Sequence, residues 1–165
     1  MSTTNKHRHT KYLSRLCIIM TAIILSGCGK EDNSEADAYR NSMTQCYETI
    51  DASTKALDSI NPSSNTAVTD MLTQLDQINM AFQDMAALEV PEEYSSIEKM
   101  ADDAAYYMSE SVRLYHEAYG SDAYQPDVGN DAKAQYTAAM TYLSYIGQVL
   151  MGEVPEGDNV TVTYE

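Results

Sequence analysis

A thiol and an imidazole are the side chains most ready to do chemistry, and past residue 28 this 165-residue chain has one of each, Cys46 and His116. A catalytic nucleophile needs a base within hydrogen-bond reach. A Cys46/His116 pair can be drawn on paper, but Cys46 falls on an apolar helical stripe, where a thiol serves as a small hydrophobe. Outside the cell it could also pair between molecules. A serine hydrolase of the Gly-x-Ser-x-Gly type would carry that elbow, and the sequence lacks it. There is no Walker loop and no dinucleotide fingerprint. A di-metal carboxylate bundle needs Glu-x-x-His pairs on facing helices. The residue three before His116 is Arg113, so His116 reads as a surface residue beside Glu117. These patterns argue against an enzyme. Two other groups could bind. Asp122, Asp127 and Asp131 lie with Gly129 and Asn130 in the stretch Asp122 to Asp131, at a segment, residues 121–130, that reads as a loop. Calcium takes oxygens from such loops, though the spacing is not that of the 12-residue EF-hand. The plainer reading is a polar loop in an acidic protein, with no cofactor. Tyrosine is the second group: 13 Tyr stand against one Phe and no Trp.

The elements that position these residues are legible as period. Ala36, Tyr39, Met43, Cys46, Ile50, Ser53, Leu57 and Ile60 step by three and four, the signature of one face of an amphipathic helix. Ser34 with Asp37 three residues later has the form of a capping box at its start, and Asn61-Pro62 stops it. A second helix is expected from Ser64 or Asn65 on the stripe Val68, Met71, Leu75, Ile78, Phe82 and Met85, ended by Pro91. Pro91 is then expected at the first position of a third helix, where its missing N–H costs nothing, with Gly120 as the C-terminal cap. That helix bears two stripes: Tyr94, Ile97, Ala101, Ala104, Met108 and Tyr115, and beside it Met100, Tyr107, Ser111, Leu114 and Ala118. A face so wide contacts more than one neighbour. A fourth helix, capped by Asn130, carries Ala132, Tyr136, Ala139, Leu143, Ile146 and Leu150. Gly147 inside it costs about 1 kcal/mol against Ala, which a close helix crossing would explain. The fold class expected is all-α, an antiparallel four-helix bundle over residues 34–152, with a tail at 153–165. Within that tail Val160-Thr161-Val162-Thr163-Tyr164 is β-prone but has no evident strand to pair with.

Set on these stripes, Tyr94, Tyr107, Tyr115 and Tyr136 are packing residues with a polar tip. Tyr106, Tyr119, Tyr142 and Tyr145 fall off them. Exposed, these four would form a binding face for a protein, glycan or peptide; in a bundle slightly wider than the stripes they would be buried.

The N-terminus has a different character. Lys6, His7, Arg8, His9, Lys11 and Arg15 precede an apolar run of about ten residues, too short for a membrane span of about 20. The run closes on Leu25-Ser26-Gly27-Cys28. This resembles the lipobox of bacterial lipoproteins. The resemblance implies a signal peptide over residues 1–27, cleavage before Cys28, and diacylation of the Cys28 thiol. Residues 28–33 would be the lipidated Cys and a short tether, reaching roughly 12 Å as a coil. Two acyl chains hold stably where one holds weakly, so the protein would sit at the outer face of a membrane. Gly29 is not the Asp that marks inner-membrane retention in some Gram-negative lipoproteins, which leaves a Gram-positive cell membrane, favoured here, or an outer membrane. The turn Leu88-Glu89-Val90-Pro91-Glu92-Glu93-Tyr94 is similar to one in small helical lipoproteins of Gram-positive bacteria, and it implies a bundle and no activity.

Charge completes the reading. All 25 acidic residues follow Cys28, against six bases: Lys30, Arg40, Lys55, Lys99, Arg113 and Lys133. Nucleic acid demands clustered Lys and Arg, so it is not an expected partner, and the body should stand off anionic lipid. The expected function is a non-enzymatic surface lipoprotein offering an acidic, tyrosine-bearing face to an envelope protein or cell-wall component. The alternative is a small solute- or calcium-binding module.

Overall fold

The computed structural model describes residues 34–121 and 123–155. The leader, Cys28, the tether, Asp122 and the β-prone tail segment lie outside the described residues. Four helices pack against one another: α1 (Ser34–Ser59), α2 (Ala67–Ala86), α3 (Ser95–Tyr119) and α4 (Pro126–Leu150). Consecutive helices lie side by side across short connections, which makes neighbours antiparallel. The protein is an all-α bundle, and no described residue is in a strand. None of the described helices is long and apolar enough to cross a membrane.

The middle of each stripe becomes the core, while Val68 at the start of the α2 stripe is exposed. Ala36, Tyr39, Met43, Cys46, Ile50 and Ser53 of α1 are buried, as are Leu75, Ile78, Phe82 and Met85 of α2. From α3 come Ile97, Met100, Ala101, Ala104, Ala105 and Met108, and from α4 Ala132, Ala139, Leu143, Ile146 and Leu150. The α3–α4 pair is the most closely packed. Small side chains explain it: alanines on both helices let the backbones approach, and the buried Ser111 hydroxyl donates to the Ala132 carbonyl across the seam at 2.9 Å. The α2–α3 seam is polar at its edge, where Gln83 donates to the Ala105 carbonyl and Ser109 donates to Asn79. By contrast, the backbones of α1 and α4 come close at hardly any point. Tyr47 bridges them, its buried hydroxyl donating to the Leu143 carbonyl at 2.5 Å.

Three helix starts and one cap conformation differ from the sequence expectation. α2 begins at Ala67, because residues 61–66 are taken up by turns in which Asn61 accepts from the Ser63 N–H and Ser64 from the Thr66 N–H. Pro91 is not the first residue of α3. It is extended (φ −62°, ψ 152°) and leads a 3₁₀ turn at Glu92–Tyr94 that precedes Ser95. Gly120 does end α3, but in right-handed conformation (φ −81°), so the left-handed cap is not used. The largest difference is at α4, which starts at Pro126 rather than after Asn130. Proline is suited to a helix's first turn, and the Gly129 N–H already bonds the Gln125 carbonyl at 3.0 Å. Gly129 is buried inside the helix because the Tyr124 side chain lies where its Cβ would be. Gly147 has a similar reason: a Cβ there would come within 3.2 Å of the Tyr47 hydroxyl.

Candidate functional site

The off-stripe tyrosines fall into two groups. Tyr106 and Tyr107 project from α3, and Tyr142 and Tyr145 from α4, so their rings straddle the α3–α4 seam. Tyr106 meets Tyr107 edge to face at 5.6 Å, Tyr107 stacks on Tyr142 at 5.7 Å, and Tyr142 meets Tyr145 edge to face at 6.1 Å. These are the spacings at which aromatic pairs attract. Tyr106 is 67% exposed, while Tyr107, Tyr142 and Tyr145 are half-buried against the core. Burial, then the Asp103 carboxylate, raises the Tyr142 phenol above its ordinary range. Asp103 is itself held by Lys99 at 2.6 Å, and the exposed Asp102 lies beside it in sequence. The result is a four-ring row with its outer end in solvent and carboxylates near it.

Tyr119 is not part of this row. It stands about 20 Å along α3 from Tyr106, at 1.5 Å rise per residue, and pairs with Tyr124 at 4.7 Å. Ser121 donates to the Ala123 carbonyl, and the Gln125 N–H reaches back to the Ala118 carbonyl at 3.1 Å. The α3–α4 connection is thereby folded tightly under these two rings. So of the four candidate face residues three converge, and Tyr107, assigned from sequence to the core, joins them.

The carboxylates proposed for calcium are placed differently from a loop site. Asp127 and Asp131 are exposed and lie one turn apart on α4, and Asp122 is outside the described residues. An early Asp such as Asp127 is favourable to the dipole of α4 without any ion. Among the described residues no three His, Cys, Asp or Glu side chains gather as a metal ion would require.

Cys46 is buried and free. Burial first, then the nearby Asp84 charge, raises its thiol, the opposite of what an activated thiolate needs. His116 is exposed and meets Asp76 of α2 at 2.8 Å. It is thus a surface residue, as its sequence position suggests, and its partner comes from the neighbouring helix.

A third place was not foreseen. Near the start of α1, Tyr39 stacks on Tyr94 at 5.6 Å, and the Arg40 guanidinium lies 5.3 Å from the Tyr94 ring centroid. Arg40 also reaches Glu93 at 3.4 Å and Asp37 at 3.8 Å. Three buried side-chain atoms in this one region, the two hydroxyls and Arg40 Nε, form no well-made hydrogen bond. From sequence the Leu88 to Tyr94 turn reads only as a helix connection. Its meeting with Tyr39 depends on how α1 packs against that turn, which period alone does not encode.

Comparison with known proteins finds no family model that matches the chain, no similar curated protein and no similar solved structure.

Proposed function

We propose that the chain is a lipoprotein, held at the outer face of the cell membrane through Cys28, that acts without catalysis by presenting its tyrosine row to an envelope protein or cell-wall component. The observation that carries the binding part is the row Tyr106, Tyr107, Tyr142 and Tyr145. Amphipathic rings with little freedom to lose are the residues interfaces favour. The acidic body, with Asp102 and Asp103 beside the row, suits a partner that brings positive charge. The anchor rests on the Leu25-Ser26-Gly27-Cys28 motif and its basic-then-apolar leader.

Two experiments test the two parts. A photo-crosslinking residue replacing Tyr106, in cells, is expected to trap one dominant adduct, with none from the same residue at Val68, an exposed site on α2. Equal trapping at both positions, or none at Tyr106, would sink the tyrosine row as a binding face. Intact mass from the native membrane is expected to show a chain starting at Cys28 with added acyl mass, lost in Cys28→Ala. A chain without acyl mass would remove the anchor and leave the binding face standing.

A further inference from the structure

The outer face of α3 sets an open ring beside unmatched charge. Tyr106 is 67% exposed, and Tyr107 is its one aromatic neighbour among the described residues. Asp102 stands one helical turn before Tyr106 and Glu98 one turn before Asp102, and both are exposed. Residues four apart share a face of a helix, at about 6 Å per step, so two carboxylates and a ring lie in one line. The other carboxylates a turn from the ring are matched, Asp103 by Lys99 at 2.6 Å and Glu110 by Arg113. Glu98 and Asp102 meet no base among the described residues, and as like charges four apart they repel each other.

We propose that this line seats an extended, arginine-bearing segment of a partner protein. One guanidinium lies on the Tyr106 ring with its edge toward Asp102, and a second arginine, two residues along the segment, reaches Glu98. On the reading of the tyrosine row as a binding face, this segment is what the row's exposed end holds. Two free carboxylates would attract any cation; the ring beside them discriminates. A guanidinium is planar, stacks on an aromatic face and still offers its edge to a carboxylate, whereas an ammonium group is a strongly hydrated point charge. Alternate residues of an extended strand put side chains on one side about 6.6 Å apart, close to the step along α3. A neutral glycan would leave the two charges unmet, and it would find Tyr107 and Tyr142 already stacked on each other.

The test is fluorescence anisotropy of labelled peptides titrated with the full chain, in a neutral detergent at low salt, where charge attraction is least screened. Acetyl-Gly-Arg-Ser-Arg-Gly amide is the probe. The same peptide with Lys for both Arg isolates the ring's share, and tetra-N-acetylchitotetraose, a neutral glycan, is added as competitor. Saturable binding of the Arg peptide is expected, with the Lys peptide about fivefold weaker and no displacement by the glycan. Tyr106→Leu is expected to bring the Arg peptide down to the affinity of the Lys peptide. Glu98→Gln with Asp102→Asn is expected to weaken it about tenfold, a loss of about 1.4 kcal/mol. Both variants change exposed side chains, so the melting temperature should hold. Asp127→Asn with Asp131→Asn removes the same charge near the start of α4 and is expected to bind as the parent does. No saturable binding, equal affinity for the two peptides, displacement by the glycan, or parental affinity in either α3 variant overturns the proposal. So does an equal loss in the Asp127/Asp131 variant, which would make the attraction a property of net charge. A partner trapped at Tyr106 in cells, with no peptide bound, would keep the binding face and remove the arginine segment. Peptide binding without trapping in cells would keep arginine recognition by α3 and sink the tyrosine row as the face used there.

Discussion

Tyr47→Phe leaves a ring between α1 and α4 but takes the hydroxyl from the Leu143 carbonyl. That hydroxyl is buried and its bond spans two helices, so the expected cost is about 1 kcal/mol by urea unfolding. Gly147 belongs to the same contact. Gly147→Ala gains about 1 kcal/mol of helix propensity but brings a Cβ within 3.2 Å of that hydroxyl, which its bond to Leu143 keeps from retreating. The alanine is therefore expected to be no gain alone and a gain in the Tyr47→Phe background; two equal effects would show that the contact does not couple them. Gly147 stands out in the sequence as a mid-helix glycine that a close crossing would explain. Tyr47 is not legible in the stripe pattern, because it sits one position beyond the α1 stripe, on the flank from which its hydroxyl reaches α4. Among the surface rings, Tyr106→Ala is expected to stay within about 0.5 kcal/mol of the parent. Tyr142→Ala, half-buried against the core, should cost about 2 kcal/mol. Similar losses for both would mean that Tyr106 is a packing residue.

The tightness of α3 on α4 rests on small side chains. Ala139 is fully buried in that seam and Ala134 is exposed on the same helix. Ala139→Leu is expected to cost about 1–3 kcal/mol by overpacking, while Ala134→Leu should change stability by less than about 0.5 kcal/mol. Tolerance at both sites, seen as matching unfolding midpoints, would show that the helices can separate without penalty. At this scale the sequence was most readable where burial was one-sided. The α1 stripe from Ala36 to Ser53 is buried position by position, since three-and-four spacing keeps those residues on one face. It was least readable at the start of α4. Gly129 and Asn130 carry loop signals, and they outweighed Pro126 and Asp127, which mark a helix start. What reverses the balance is tertiary: Tyr124 occupies the space over Gly129. With that boundary moved, two of the three aspartates considered for calcium, Asp127 and Asp131, belong to a helix rather than a loop.

For the molecule as a whole, the tyrosines set a response to alkali. Burial, as the largest cause, pushes Tyr94 and Tyr115 up to about 12, and it raises Tyr39 and Tyr47 further. In the unfolded chain tyrosine loses its proton near pH 10. The folded state thus retains protons that the unfolded state has released. The stability this represents is intact below about pH 10 and is lost as pH rises toward and past 12. Urea midpoints should be level up to about pH 9 and fall steeply above about pH 10, and a midpoint still level near pH 11 would contradict the burial of these phenols. The cysteine gives an independent check: native Cys46 should react with a thiol reagent only at the rate the bundle opens. Little of this was visible beforehand. The tyrosine count stood out, but which rings would be sealed and which stacked into a row depended on how the helices are arranged. The loose α1–α4 seam would also have a mechanical meaning under the proposal that Cys28 carries lipid and the tyrosine row holds a partner. Tension between membrane and bound partner would enter the body at Ser34 and leave through the α3–α4 pair that bears the rings. Its path crosses from α1, whose backbone seldom nears α4, into the closely packed α3–α4 pair, so strain would be felt at the α1–α4 seam, which the Tyr47 hydroxyl bridges, before it is felt within that pair.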